Sequence, residues 1–406
     1  MAEGLSPASP PPAAAVRLEA VTKRYRGQAE PAVDALTLEV RPRELLVMVG
    51  PSGCGKTTTL RLINRLLDAD EGWITIDGED TASLDADALR TRIGYVIQQV
   101  GLFPHMTVAD NVATVPRLLG WDRARIARRV EELLDLLGLD PGDFGDRFPR
   151  ELSGGQAQRV GVARAMAADP PILLMDEPFG SLDPITRARL QDELLRVQGS
   201  LAKTILLVTH DIDEAIKLGD RIAVVDRGAR VLQVAAPERV LSDPADDYVR
   251  EFVGSGAALR RLGLLRVREL EPARWPALPR AAERHVVRDE LIASGRPAAL
   301  LLDEARRPWR WVTARELERG AEPGTEPGLP ASGELTPAAT LHEALDAIVR
   351  GGIGAAAAVD DAGGLHAIVD LEAIMAAADP SRSFEQATRG EEVRARPVIA
   401  ASPQTR

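Results

Sequence analysis

Apolar residues in this chain gather into short unbroken runs that stop at a glycine or a polar group. Leu45-Leu46-Val47-Met48-Val49 halts at Gly50, and Ile93-Gly94-Tyr95-Val96-Ile97 halts at Gln98. Ile172-Leu173-Leu174-Met175 ends in Asp176-Glu177-Pro178, and Thr204-Ile205-Leu206-Leu207-Val208-Thr209 delivers His210-Asp211. Runs of this length, apolar on both faces, predict buried parallel strands. Ala35-Leu36-Thr37-Leu38-Glu39-Val40 alternates instead, and Trp73-Ile74-Thr75-Ile76-Asp77-Gly78 adds a strand and a turn, so an antiparallel sheet is expected there. From about Val108 to Arg164 the spacing turns helical, with Val130, Leu133, Leu134, Leu136 and Leu137 as its apolar stripe. The expected fold class is α/β.

Chemistry enters where the strands stop. Gly50-Pro51-Ser52-Gly53-Cys54-Gly55-Lys56-Thr57 lies between the first buried strand and a helical stretch opening at Thr57-Thr58-Thr59-Leu60. Glycines let the backbone curl so that successive N–H groups converge on one anion, at a helix N-terminus whose dipole favours negative charge. In that context Lys56 is expected to reach the β- and γ-phosphates, and Thr57 to ligate Mg²⁺. Asp176 and Glu177, at the end of a parallel strand, are expected beside that loop, with Asp176 on Mg²⁺ and Glu177 polarising a water. Leu152-Ser153-Gly154-Gly155-Gln156 precedes another helical run and forms a second anion-binding turn. Cys54 is the only cysteine, so no intrachain disulfide is possible, and an inert small filler is the expected reading of it.

This ordered set resembles the ATP-binding subunits of ABC transporters, whose P-loop domain combines a RecA-like core, an antiparallel β subdomain and a helical subdomain. The resemblance implies a homodimer in which Ser153, Gly154, Gly155 and Gln156 face the ATP held by the partner copy; Ala157 stands where the family usually has Gln. It implies that His210 is the switch histidine at the γ-phosphate and that Ser181-Leu182-Asp183 is the D-loop coupling the two sites. Gln98 matches the glutamine that senses Mg²⁺ and the water. Gln99 is its neighbour and rival, and the spacing to Leu102-Phe103-Pro104-His105 favours Gln98. Tyr25 matches the aromatic that stacks on adenine, with core packing as its alternative. ATP and Mg²⁺ are the implied cofactors.

Composition trims the possibilities. In 406 residues there are 50 Lys+Arg against 61 Asp+Glu, and a net charge of −11 gives a nucleic-acid partner no electrostatic support. No apolar run approaches a bilayer span, so membrane association is expected only through other subunits, at the cytoplasmic face. Residues 1–15 are Ala/Pro/Ser-rich and lack a basic or apolar leader pattern, so a disordered tail is expected there, and residues 380–406 are expected to form a flexible tail.

The nucleotide-binding domain is expected over 16–254. Beyond it, residues 255–379 suggest two similar units, about 255–320 and 331–379, each running helix, strand, strand, helix, with a Gly/Pro/Glu linker at 320–330. They resemble a degenerate pair of CBS modules, an α+β region. Nucleotide-binding CBS units often carry Thr and, three residues later, Asp. Here the pairs are Thr313 with Glu316 and Asp370 with Ala373, so a folded interaction or dimer-restraining role is expected rather than adenosine binding.

Within the ABC family, Ile93 to Thr107, Pro116-Arg117-Leu118-Leu119-Gly120-Trp121 and Met175 to Arg187 look most like the ATPases of glycine betaine/carnitine/choline importers. That implies permease subunits and an extracytoplasmic substrate-binding protein as partners. Some members end in an anionic tail, whereas residues 380–406 carry five Arg against three Glu. The rivals are an importer ATPase for another solute such as an amino acid, a soluble ABC protein acting outside transport, and a regulatory module that never turns over. One motif set without sustained heptads disfavours the second, and the presence of Glu177 and His210 disfavours the third.

Overall fold

A computed structural model of the chain describes residues 15–98, 101–180, 182–201, 203–254, 256–324, 329–331 and 335–378. Residues 1–14 of the expected N-terminal tail, the expected tail 380–406, Gln99 and Ser181 lie outside these residues. The chain divides into two compact units, Met1–Gly254 and Ser255–Arg406.

The first unit has two sheets. Strands β1 (Val16–Lys23), β2 (Val33–Val40), β4 (Glu71–Ile76) and β5 (Glu79–Asp80) form an antiparallel sheet in the order β2-β1-β4-β5. The alternation read in β2 has a physical cause: Val33, Leu36, Leu38 and Val40 are buried in the core while the residues between them face out. Strands β3 (Leu45–Val49), β6 (Ile93–Val96), β7 (Ile172–Asp176), β8 (Thr204–Thr209), β9 (Arg221–Asp226) and β10 (Arg230–Ala235) make the second sheet, ordered β10-β9-β3-β8-β7-β6. All its pairings are parallel except β9 with the edge strand β10. Every residue of β3, β7 and β8 is buried, as their continuous apolar runs require.

Helices α1 (Lys56–Ile63) and α2 (Ala86–Thr91) follow β3 and β5. α1 packs against β7 and β8. Helices α3 (Val108–Leu118), α4 (Arg123–Leu136), α5 (Pro141–Phe144) and α6 (Gly154–Met166) build the helical part. Thr107 and Asp122 cap α3 and α4 by accepting from Asp110 N and Arg125 N. Asn111 is wholly buried in α3 and bonds Phe103 N, Phe103 O, Met106 O and Thr107 O, which fastens the segment after Gln98 to that helix. Helices α7 (Pro184–Leu201), α8 (Ile212–Leu218), α9 (Pro237–Ser242) and α10 (Asp247–Val253) complete the unit. No helix among the described residues is long and apolar enough to cross a membrane.

The second unit begins with α11 (Ala257–Leu264). Two halves follow, each in the order helix, strand, strand, helix. They are α12 (Arg284–Ser294), β12 (Ala298–Leu302), β13 (Pro308–Thr313) and α13 (Ala314–Glu318), then α14 (Leu341–Gly351), β15 (Ala355–Val359), β16 (Leu365–Asp370) and α15 (Leu371–Ala378). Short strands β11 (Ala277–Pro279) and β14 (Leu329–Pro330) flank the first hairpin in a sheet ordered β11-β12-β13-β14. Leu300, Leu302 and Trp311 of the first half share one apolar cluster with Ala355, Ala357 and Ile368 of the second.

One grouping differs from the sequence reading. Residues 257–270 were expected with the first half, yet Leu262 and Val267 are buried among Leu341, Ala344, Ile348 and Ile374 of the second. Leu341 N donates to Leu265 O and Val267 N to Ala339 O, so backbone bonds hold the crossing as well. The apolar face of α11 has its complement eighty residues downstream, which local periodicity does not reveal.

Two substitutions test this packing. At Gly94 in β6 an added Cβ would lie 2.3 Å from Ala165 O and 2.6 Å from Leu173 Cδ2. Gly94→Ala should therefore cost about 1–3 kcal/mol in chemical denaturation, and an unchanged unfolding midpoint would contradict the close β6–α6 approach. Glu214 in α8 is buried, and burial raises its carboxyl above the usual glutamate value despite bonds from Thr209 and Gln191. A raised folded pKa means the folded state holds that proton more tightly than the unfolded chain, so ionisation costs stability as pH rises through the window and the full penalty stands at neutral pH. Glu214→Gln should raise the melting temperature at pH 7, with the gain shrinking as pH falls toward the ordinary glutamate pKa.

Candidate functional site

The parallel register brings one edge of the sheet into line. Val49 of β3 pairs with Thr209 of β8, Asp176 of β7 with Val208, and Val96 of β6 with Met175. The loops leaving these strands therefore meet outside their carboxyl ends, where open α/β sheets bind ligands. A cavity of about 760 Å³ opens there, lined among others by Tyr25, Ser52, Gly53, Lys56, Thr57, Thr58, Gln98, Glu177 and His210.

The glycine loop takes its curl from two positions that accept no side chain. A Cβ at Gly50 would lie 2.2 Å from Val225 O, and one at Gly55, which sits at φ 113°, would lie 2.3 Å from Ala32 O. Lys56 is buried and its Nζ donates to Gly50 O at 2.8 Å and Pro51 O at 2.9 Å, so the ammonium is held over the loop it would serve. Cys54 is also buried, and burial pushes its thiol pKa up in spite of neighbouring Lys56, which keeps it protonated and inert.

Thr57 Oγ1 donates to Asp176 Oδ1 at 3.0 Å. Burial raises the Asp176 carboxyl above its ordinary pKa, the Thr57 bond opposes that shift, and the nearby Glu177 charge adds to it. Tyr95, one strand over, is pushed up to about 12 by burial and by Asp176. Glu177 stands between two partners: Gln98 Nε2 donates to its Oε2 at 2.9 Å and His210 Nδ1 lies 3.1 Å from its Oε1. A carboxylate offers only acceptors, so the Nδ1 of His210 carries the proton in this pair. Glu177 has φ 45°, a left-handed conformation that costs about 1–2 kcal/mol for a residue with a Cβ. Its N–H is fixed by Val208 O at 3.0 Å, so the kink at the end of β7 is held by the neighbouring strand and turns successive carboxylates apart.

Tyr25 is half-buried at the cavity wall with its OH 3.5 Å from Thr58 Oγ1, so it is not a core residue. Ser153, Gly154, Gly155 and Gln156 are not among the lining residues. They form the start of α6, where Ser153 Oγ accepts from Gln156 N at 3.3 Å and Gln156 Oε1 accepts from Ser153 N at 2.9 Å. Leu182 is buried, and Asp183 Oδ1 caps α7 through Ile185 N and Thr186 N. Arg227 and Gly228, just beyond β9, also line the cavity and were missed from the sequence. Their only signal was position, since β9 ends at the same sheet edge as β3.

In the second unit, Thr313 Oγ1 accepts from Glu316 N at 3.2 Å, while Glu316 Oε2 accepts from Thr313 N at 2.7 Å. Asp370 Oδ1 caps α15 by accepting from Ala373 N at 2.9 Å. Its Oδ2 accepts from Trp275 Nε1 at 3.0 Å and pairs with Arg296 Nη1 at 3.2 Å.

Comparison with known proteins agrees with this geometry. Residues 33–180 match the family model described as ABC transporter. An osmoprotectant import ATP-binding protein of Salmonella typhimurium is 49% identical over 314 residues, spanning 75% of this chain and 81% of that protein. A glycine betaine uptake system ATP-binding protein of Escherichia coli is 50% identical across 65% of this chain and 85% of its own length. A glycine betaine/carnitine/choline transport ATP-binding protein of Bacillus subtilis is 52% identical across 59% and 62%. Among solved structures, an ATP-binding cassette in a dimeric post-hydrolysis state bound to ADP and Pi aligns with a TM-score of 0.50 and 35% identity, covering 55% of this chain and 98% of that one. This chain belongs to the ATP-hydrolysing, ATP-binding subunits of ABC transporters.

Proposed function

We propose that the protein energises import of a quaternary-amine osmoprotectant, of the glycine betaine, carnitine or choline class, by hydrolysing ATP between two copies of itself. The solute class rests on relatives at about half identity that are named for osmoprotectant import, glycine betaine/carnitine/choline transport and glycine betaine uptake. An amino-acid importer is the rival, and no cavity in this chain is asked to touch the solute in either case. Permease subunits would hold the protein at the cytoplasmic face of the membrane, with an extracytoplasmic binding protein supplying the cargo.

The observation carrying the hydrolytic reading is the grip on Glu177 by Gln98 and His210 at the mouth of the phosphate loop. In that reading Glu177 accepts the proton of the attacking water, and Gln98 and His210 fix the direction of its carboxylate. Lys56 would exchange its loop carbonyls for phosphate oxygens, and Tyr25 would cover the adenine. Phosphoryl transfer asks mostly for positioning and charge stabilisation, which this constellation supplies. The donor set of Thr57 Oγ1, the Asp176 carboxylate and the Gln98 side-chain oxygen suits Mg²⁺, a hard cation held by oxygens that include phosphates and water. Bound there, Mg²⁺ would neutralise phosphate charge.

The Ser153–Gln156 turn stands apart from the cavity, and its backbone donors at the start of α6 suit the nucleotide of a second copy. Leu182 and Asp183 would lie along that shared boundary.

Glu177→Gln should bind ATP, form a persistent dimer on size-exclusion chromatography and lose turnover by roughly a hundredfold or more. Parental turnover in that variant would remove Glu177 from the chemistry. Uptake of betaine, carnitine, choline and proline into vesicles carrying the reconstituted importer would decide the solute class. ATP-dependent accumulation of proline alone would overturn the quaternary-amine assignment.

A further inference from the structure

The Arg187 side chain, in the first turn of α7, touches two loops that are distant in sequence. Its Nη2 donates to Leu182 O at 3.2 Å, and its Nη1 pairs with Asp211 Oδ2 at 3.6 Å. Leu182 belongs to the turn that opens α7. Asp211 follows His210 directly. The two segments therefore meet through the planar fork of one guanidinium, whose separate arms hold two acceptors in a fixed relation.

Asp211 is itself firmly placed. Its Oδ1 caps α8, accepting from Asp213 N at 2.9 Å and Glu214 N at 3.3 Å, and its N–H donates to Thr209 Oγ1 at 3.1 Å. Thr209 and Asp211 bracket His210, whose ring meets Glu177. A shift of the Asp211 carboxylate thus moves the backbone on which the imidazole rides. The frame behind this contact is fastened at two other points. Lys217 of α8 pairs with Asp192 of α7 at 2.7 Å, and Gln191 Nε2 donates to the buried Glu214 Oε1 at 3.5 Å. With α7 and α8 pinned at Gln191–Glu214 and Asp192–Lys217, a displacement of the 182–183 turn is passed through Arg187 to Asp211.

We propose that Arg187 is a positioning residue that couples the 182–183 turn to the orientation of His210, so that hydrolysis on one subunit depends on how that turn is seated. This rests on the reading that the turn lies along a nucleotide-sandwiched dimer. Arg187 touches neither nucleotide nor water in this scheme and acts through Asp211.

The test is a double-substitution cycle on the full-length protein. Arg187→Met keeps the stem and removes the fork. Asp211→Asn keeps a carbonyl to cap α8 and removes the ion pair. Each single variant should lower kcat about tenfold or more while the KM for ATP stays within about twofold, because geometry rather than binding is lost. The double variant should be no slower than the slower single variant, since both remove one link. Arg187→Lys, with charge but no fork, should recover only part of kcat. A purely structural role would instead move melting temperature and KM, and the two substitutions would multiply. Parental kcat in Arg187→Met, or multiplying losses, would overturn the proposal. If Arg187→Met fails to fold, Asp211→Asn reads the same link from its other end. The dimer reading is checked separately: Arg187→Met in the Glu177→Gln background should still pair on ATP. Failure of Glu177→Gln itself to pair would sink the dimer reading, whereas intact pairing with parental kcat in Arg187→Met would sink the coupling alone.

Discussion

Parallel pairing of β6, β7, β8, β3 and β9 is the constraint on which the site depends. Each strand ends at the same edge, so the groups that follow them converge without any long-range search by the side chains. Burial on both faces enforces the register. A slip in β7 would move Asp176 off Val208 and, with it, the left-handed turn that presents Glu177. The strain in that turn persists because a strand fully packed at Leu173, Leu174 and Met175 leaves the chain no cheaper way out.

The same logic explains why the polar groups of the cavity are well placed. Lys56 and Asp176 are buried and Thr57 is half-buried, and each is bonded within the loop cluster: Lys56 to carbonyls, Thr57 to Asp176. Glu177 and His210 sit nearer the mouth, where His210 is exposed. Buried groups set the geometry of the cradle, and accessible groups face what enters it. Fastening of residues 103–107 by Asn111, and of Gly101 by Arg164 from α6, extends this order to the segment leaving Gln98. Helix α6, which Ser153 caps, thereby contacts Gly101, three residues beyond the Gln98 that donates to Glu177.

Legibility in the sequence followed the range of the physics involved. The buried strands, the glycine loop and the acids after β7 were readable because each is a local pattern: an apolar run, a φ requirement, a charge at a strand end. Arg227 and Gly228 were not, since their place in the cavity comes only from β9 lying beside β3. Asn111 is a further case, since the four backbone groups it bonds lie on the segment leading into α3. The meaning of Arg187 likewise depends on the fold, which brings Asp211 beside it from a distant part of the chain. In the second unit the helix–strand–strand–helix order was visible, but the partner of α11 was not, because the complementary apolar face lies in α14 and α15.

The second unit also shows how side chains at tempting positions are already committed. Thr313 and Glu316 exchange bonds as a capping box, and Glu316 Oε1 lies 3.7 Å from the buried Arg310 Nη2. Asp370 divides its two oxygens between Ala373 N on one side and Trp275 with Arg296 on the other. A ligand recruiting either group would have to break a cap or strand a buried charge, each costing about 1–3 kcal/mol before any contact is gained. Trp275 meets Trp311 edge-to-face at 5.6 Å, and Trp311 belongs to the cluster joining the two halves, so Asp370 serves to lock the hairpins together. With Thr313, Glu316 and Asp370 all engaged in caps and packing, the polar atoms at these positions are spent inside the unit rather than turned toward a ligand.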